Sequence, residues 1–205
     1  MAKLLVYYAH PGHQYSHVNR EMVKRAKALN GITFIDLYAE YPRFNIDVEI
    51  EQQRLMAHDT ILFQFPLFWY STPSLMKEWQ DLVLEYGFAY GTGGNKLKGK
   101  RVMMAVSCAG SEDAFSREGY QNRPIRTFLS PLEQMACLCQ MKFYPPYVLY
   151  SALHAPHNDA MQLHADGYKE LLIALRDDTY DFEKALTNDV ITFNTLPIQR
   201  GQRHG

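Results

Sequence analysis

Three short segments carry residue types that could do chemistry. The first is Ala9-His10-Pro11-Gly12-His13-Gln14-Tyr15-Ser16-His17-Val18-Asn19, which joins an apolar run to a helical pattern and puts Ser16 at the expected N-cap. A helix start offers free N–H groups and the positive end of a dipole. With the Ser16 and Asn19 side chains as further donors, the segment suits an anion such as a phosphate. The same residues also read as an ordinary capped helix flanked by solvated histidines. The second segment is Pro66-Leu67-Phe68-Trp69-Tyr70-Ser71-Thr72-Pro73. Three consecutive aromatics cannot all enter one core, so at least one faces solvent, a ligand or a partner. Trp or Tyr there makes a wall on which a planar ring stacks, although a Trp near a helix start equally reads as core packing. The third, Ser107-Cys108-Ala109-Gly110-Ser111, is made of small residues that let backbone N–H groups come close to a ligand.

Other constellations carry less. His10, His13 and His17 have metal-like spacing but no carboxylate nearby, so no metal site is expected. Cys108 has no partnering histidine to make it a nucleophile. Cys137 and Cys139, two apart on a helix, point to different faces. Gly91-Thr92-Gly93-Gly94-Asn95-Lys96 suggests a nucleotide loop, but it follows a helix and leads to a strand, the reverse of the dinucleotide order. His154 and His157 sit in a polar loop and read as solvent-exposed.

The elements that must position these segments follow from periodicity. Continuous apolar runs predict strands at Lys3–Tyr8, Thr33–Tyr38, Thr60–Phe65 closed by Pro66, Arg101–Ser107, and Phe143–Tyr150, the last shortened by Pro145-Pro146. Helical spacing links Val18, Met22, Ala26 and Leu29; Val48 to Ala57; Leu75, Trp79, Leu82 and Val83 after Thr72-Pro73; Ile125, Phe128, Leu129, Leu132, Ala136 and Cys139; and Met161, Tyr168, Leu171, Leu172 and Leu175. Alternating strands and helices imply a parallel sheet covered on both faces, in which ligands bind beyond the carboxyl ends of the strands. All three chemical segments follow strands. One domain is expected over residues 1–186, with 187–205 a loose polar tail.

The 205 residues are 47% hydrophobic and 13% aromatic with a net charge of −1, which supports a large core and gives no sign of nucleic-acid binding. The three cysteines, an odd count, point to a reducing compartment. No basic leader precedes the first strand and no run approaches a membrane span, so a cytoplasmic protein is expected.

Taken in order, the segments resemble the NAD(P)H:quinone oxidoreductase family of the flavodoxin-like superfamily, and its bacterial ancillary proteins of glutathione-regulated potassium efflux in particular. The likeness rests on Tyr-Ala-His-Pro at 8–11, Ser-His-Val-Asn at 16–19, Asp-Leu-Tyr at 36–38 and Tyr-Pro-Arg-Phe-Asn-Ile-Asp at 41–47. It continues through Gln-Phe-Pro-Leu-Phe-Trp-Tyr-Ser at 64–71 and Gly-Phe-Ala-Tyr-Gly-Thr-Gly-Gly at 87–94. It implies an α/β flavodoxin-like three-layer sandwich with a five-stranded parallel sheet, and FMN rather than FAD as cofactor. His10, Ser16, His17, Val18 and Asn19 would hold the phosphate; Leu67, Phe68, Trp69 and Tyr70 would line the ring; Ser107, Cys108, Ala109 and Gly110 would complete the ring site. It further implies ping-pong hydride transfer from NAD(P)H to a quinone, and a homodimer with Tyr90 near the substrate pocket. A potassium-efflux transporter is implied as a further partner, which would place the protein at the inner face of the cell membrane. Three positions depart from the pattern: where family enzymes often carry a Tyr and a His beyond the fourth strand, this chain has Phe115 and Gln121, and Phe68 replaces a polar residue common in the ring loop.

Overall fold

The structure is a computed structural model and describes residues 2–199. Its strands are β1 (Leu4–Tyr8), β2 (Ile32–Asp36), β3 (Thr60–Pro66), β4 (Arg101–Ser107), β5 (Lys142–Phe143) and β6 (Tyr147–Leu149). The helices are α1 (His17–Lys27), α2 (Leu37–Glu40), α3 (Val48–Ala57), α4 (Ser74–Val83), α5 (Ile125–Phe128), α6 (Ser130–Leu138), α7 (Ala160–Arg176) and α8 (Phe182–Ala185). The sheet runs β2-β1-β3-β4-β5, every pairing is parallel, and β6 continues beside β4 beyond β5. The expected fifth strand is therefore two short pieces. Pro145 and Pro146 between them have no N–H to give the ladder.

Strand alternation divides the core in two. Leu5 and Tyr7 of β1, with Ile61, Phe63, Val102 and Met104, face α2, α3, α4 and α6. Leu4 and Val6, with Leu62, Met103 and Ala105, face α1 and α7. Under the first face lies the buried Glu51. Its carboxylate accepts from Tyr7 Oη, Arg54, Tyr41 Oη (2.6 Å) and Trp79 Nε1 (3.0 Å), the set of donors a buried anion requires.

Local chemistry sets several boundaries. Ser16, Asp36, Asp47 and Asp181 cap α1, α2, α3 and α8 through side-chain oxygens. Because Asp36 caps α2, the second strand ends there and not at Tyr38. The helix expected across Ile125–Cys139 breaks at Leu129 (φ −95°, ψ 0°). Pro131 cannot donate to Thr127, and the Ser130 hydroxyl bonds that carbonyl instead at 2.9 Å. Leu82 is 40% exposed, off the buried stripe of α4. The expectation of a loose tail fails for residues 187–199, where Ile191 is fully buried against β6. Residues 200–205 lie outside the described part. No described helix is long and apolar enough to cross a membrane.

Candidate functional site

The chain reverses direction across the sheet at β1, which has β2 on one side and β3 on the other. This is the crevice position of doubly wound sheets, and the loops after β1, β3 and β4 meet there. They enclose a cleft of about 330 Å3.

At one end stands the start of α1. Ser16 Oγ accepts from the Asn19 N–H (3.2 Å) and from Asn19 Nδ2 (3.1 Å), so its own proton is free to donate outward. Among the described residues the N–H groups of His17 and Val18 have no acceptor, as first-turn amides do not. His10 is 8% exposed, and its Nδ1 accepts from the Gly12 N–H at 3.1 Å, which puts the proton of the neutral ring on Nε2. Burial, and then the nearby His13, lower its pKa from 6.5 to about 4. His10 is thus a neutral donor at physiological pH. His13 is turned away, its Nδ1 held by Tyr8 Oη at 2.7 Å.

Asn19 joins the walls. Its Nδ2 reaches Ser107 Oγ at 3.0 Å as well as Ser16, and its Oδ1 accepts from Gln64 Nε2 at 3.3 Å. Gln64 in turn accepts from Tyr168 Oη at 2.9 Å. Both amide protons of Asn19 are committed within the protein, so its role is to fasten the first and third loops together.

At the other end, Phe68 and Ser71 exchange backbone hydrogen bonds (3.1 and 3.0 Å) around Trp69 (φ +48°) and Tyr70 (φ +63°). This is the reversed turn that normally takes Asn-Gly. The N–H groups of both central residues lack acceptors among the described residues. Trp69 is 92% exposed, while Tyr70 stacks on Phe128 (4.8 Å) and donates to Gln121 Oε1 at 3.0 Å. The loop after β4 is pinned by Leu67 N–H to Ser107 O (2.8 Å) and Cys108 N–H to Leu149 O (2.9 Å), and the Ala109 and Gly110 N–H groups have no acceptor among the described residues. Burial pushes the Cys108 thiol up to about 12, so it stays protonated and is no nucleophile.

His10, Ser16, His17, Val18, Asn19, Leu67, Phe68, Ser107, Cys108 and Ala109 all line the cleft. Trp69, Tyr70 and Gly110 stand outside the lining. Gly110 lies against Phe115, whose Cε2 would be 2.9 Å from a Cβ placed there. Tyr90 is also outside the cleft, packed against Tyr86 and the first core. Sequence reasoning missed Tyr15, Ala152, Leu153 and Pro156, which also line the cleft. The only signal for them was that the loop holding the last three follows the final strand.

Residues 2–172 match the model of a family described as having a flavodoxin-like fold. The chain is 42% identical over 171 residues to the glutathione-regulated potassium-efflux system ancillary protein KefG of Enterobacter sp. (strain 638), an alignment covering 83% of this chain and 93% of that one. The chain belongs to the flavodoxin-like NAD(P)H:quinone oxidoreductase family. Among solved structures similar to it is a general stress protein 14 from Treponema denticola in complex with FMN, with a TM-score of 0.77 and 31% identity, covering 86% of this chain and 98% of that one. An NADPH-quinone reductase from P. pentosaceus is also similar, with a TM-score of 0.73 and 27% identity, covering 82% and 96%. The cleft fits the cofactor type of this family. Unpaired N–H groups and the Ser16 hydroxyl suit a phosphate at one end. Pro66, Leu67, Phe68, Ala152 and Leu153 give an apolar slot, and unpaired amides stand at the far rim for the polar edge of a ring. Within this family pattern, Phe115 is buried beneath the third loop and Gln121 is tied to Tyr70.

Proposed function

We propose that this protein is an FMN-dependent NAD(P)H:quinone oxidoreductase acting by ping-pong exchange. The observation that carries the reading is one apolar cleft whose lining holds donors without acceptors among the described residues: the His17 and Val18 amides at the α1 start and the Ala109 amide in the loop after β4, with the Trp69, Tyr70 and Gly110 amides standing outside the lining. The net reaction is NAD(P)H + H+ + quinone giving NAD(P)+ and hydroquinone. Bound FMN would supply the two-electron, hydride-transfer chemistry that couples the nicotinamide to the quinone. The chain's own residues do the rest. The α1 amides, the Ser16 hydroxyl and the neutral His10 Nε2–H would hold the phosphate, and the ring-end amides would donate to the negative charge that collects on the reduced ring. Phe68 and Leu67 keep one face of the slot dry. Neither Phe115 nor Gln121 titrates near neutrality, so the proton that completes the hydroquinone comes from solvent. The protein works as a homodimer, with Tyr90 meeting the substrate at the subunit interface.

The test is the absorption spectrum of the purified protein, release and identification of its cofactor, and initial rates with NADH or NADPH and a panel of quinones. Parallel reciprocal plots are expected. A flavin-loaded protein that turns over no quinone would defeat the enzyme reading and leave the flavin site standing.

A second reading is favoured by the match to KefG and by the departures at Phe115 and Gln121. In it the chain is a regulatory flavoprotein subunit of a potassium-efflux transporter, held at the inner membrane face, and its redox activity is incidental. Co-purification with a membrane transporter, together with turnover too slow to matter, would select it.

A further inference from the structure

Residues 187–199 lie beyond the stretch that the family model matches, 2–172, yet they are built into the domain. Ile191 N–H donates to Pro146 O and Ile191 O accepts from Val148 N–H, both at 2.8 Å, so the segment adds a rung along the outer edge of β6. Val190 packs on the small cluster of Cys108, Phe115, Ile125 and Val148. Asp189 O accepts from Arg126 Nη1 at 3.4 Å, and Phe193 lies against Gly167, where a Cβ would be 2.7 Å from the Phe193 Cβ.

The strap sits behind the third loop. β6 is three residues long, and its other edge holds the loop after β4: Cys108 N–H donates to Leu149 O (2.9 Å), Ser151 N–H to Gly110 O (2.8 Å) and Ala152 N–H to Cys108 O (2.9 Å). A strand this short, interrupted by two prolines, has little rigidity of its own. What fixes its far side fixes the unpaired Ala109 and Gly110 amides.

We propose that the C-terminal strap, through Val190 and Ile191, positions the Ser107–Gly110 loop and so sets the affinity for the flavin ring. This rests on the flavin reading above. Val190 and Ile191 are positioning residues: they act through Cys108, Phe115 and β6 and touch no ligand.

The experiment uses full-length protein carrying Val190→Ala, Ile191→Ala or Ile191→Val, with Ile198→Ala as control. Ile198 pairs with Tyr180 at the far end of the strap and packs on the second core. Affinities for FMN and for riboflavin, which lacks the phosphate, are read by flavin fluorescence. Amide exchange at Cys108, Ser151 and Ala152, whose N–H groups tie the loop to the end of β6, is read without flavin. Val190→Ala and Ile191→Ala are expected to weaken both flavins by one factor, about tenfold, because the phosphate end is untouched. The FMN-to-riboflavin ratio then stays constant, and Ile191→Val restores binding. Exchange at Cys108, Ser151 and Ala152 accelerates in these two variants alone. Ile198→Ala lowers the melting temperature and leaves both affinities unchanged. Wild-type affinity in both alanine variants, an equal loss in Ile198→Ala, or an altered ratio would overturn the proposal. If Ile191→Ala does not fold, Val190→Ala decides. If the wild type binds neither flavin, the cofactor reading falls, and exchange at Cys108, Ser151 and Ala152 still decides whether the strap holds the loop.

Discussion

The Asn19 side chain reaches Ser16, Ser107 and Gln64 at once, and two of those partners lie 45 and 88 positions away along the chain. Asn19→Ala removes the bridge and leaves Gln64 Nε2 buried without that acceptor, a loss of about 1–3 kcal/mol. We expect a lower melting temperature together with weaker FMN binding, read by thermal denaturation and flavin titration on the same preparation; unchanged FMN affinity would show that the bridge does not shape the cleft. The residue's position was legible, because cap chemistry marks the start of α1, but its role was not. Local spacing says which donors stand near a helix start and says nothing of a serine on another strand. Ser16 was legible in both respects, since the cap geometry that identifies it also leaves its hydroxyl proton free. His10 shows the same limit, because its tautomer depends on a bond to Gly12 that only the folded loop makes.

At the scale of elements, the turn Phe68–Ser71 holds two bulky residues in a left-handed conformation that costs on the order of 1 kcal/mol or more each. Trp69→Asn relieves part of this. We expect stability to rise by up to about 1 kcal/mol, since Asn tolerates that conformation, while FMN affinity falls with the loss of the exposed indole at the ring end. Denaturant midpoints and flavin titration check the two halves, and a drop in stability would refute the strain argument. The aromatic run announced that something unusual happened here, but the direction of the turn was hidden, since no Gly or Asn marked it. The breaks elsewhere follow donor chemistry. Pro131 splits a helix whose apolar spacing looked continuous, and Pro145-Pro146 split a strand. Periodicity detects which side chains share a face and is blind to which N–H groups are missing.

For the whole molecule, the two cores were legible because alternation along β1, β3 and β4 sorts side chains to opposite faces. The strap was not, because one buried isoleucine in a polar stretch has no period. Packing also decides the response to acid. His164 is fully buried on α7, stacked on Tyr147 at 4.4 Å, with neither ring nitrogen partnered among the described residues. Burial lowers its pKa from 6.5 to about 3, as burial and His13 lower that of His10 to about 4. The unfolded chain binds these protons first, so the stability they represent is intact above pH 6.5 and is lost as the pH falls toward 4 and then 3. His164→Phe keeps the ring stack and removes the titration. We expect a flatter melting curve against pH below 6.5, and a gain of about 1 kcal/mol at neutral pH from deleting two unpartnered polar atoms. An unchanged acid limb in this variant would assign the acid sensitivity to other groups.

The chain has two tryptophans, and they stand in opposite surroundings. Trp79 is sealed in the first core with its indole N–H on Glu51, and Trp69 stands almost wholly in water beside the cleft. Their emission therefore separates by colour, short-wavelength from the enclosed indole and long-wavelength from the hydrated one. Arrival of a ligand at the cleft dims the red component first, whereas loss of the fold shifts the blue one. A single emission spectrum thus reports occupancy and folding through two independent signals, and the chain needs no added label to follow either.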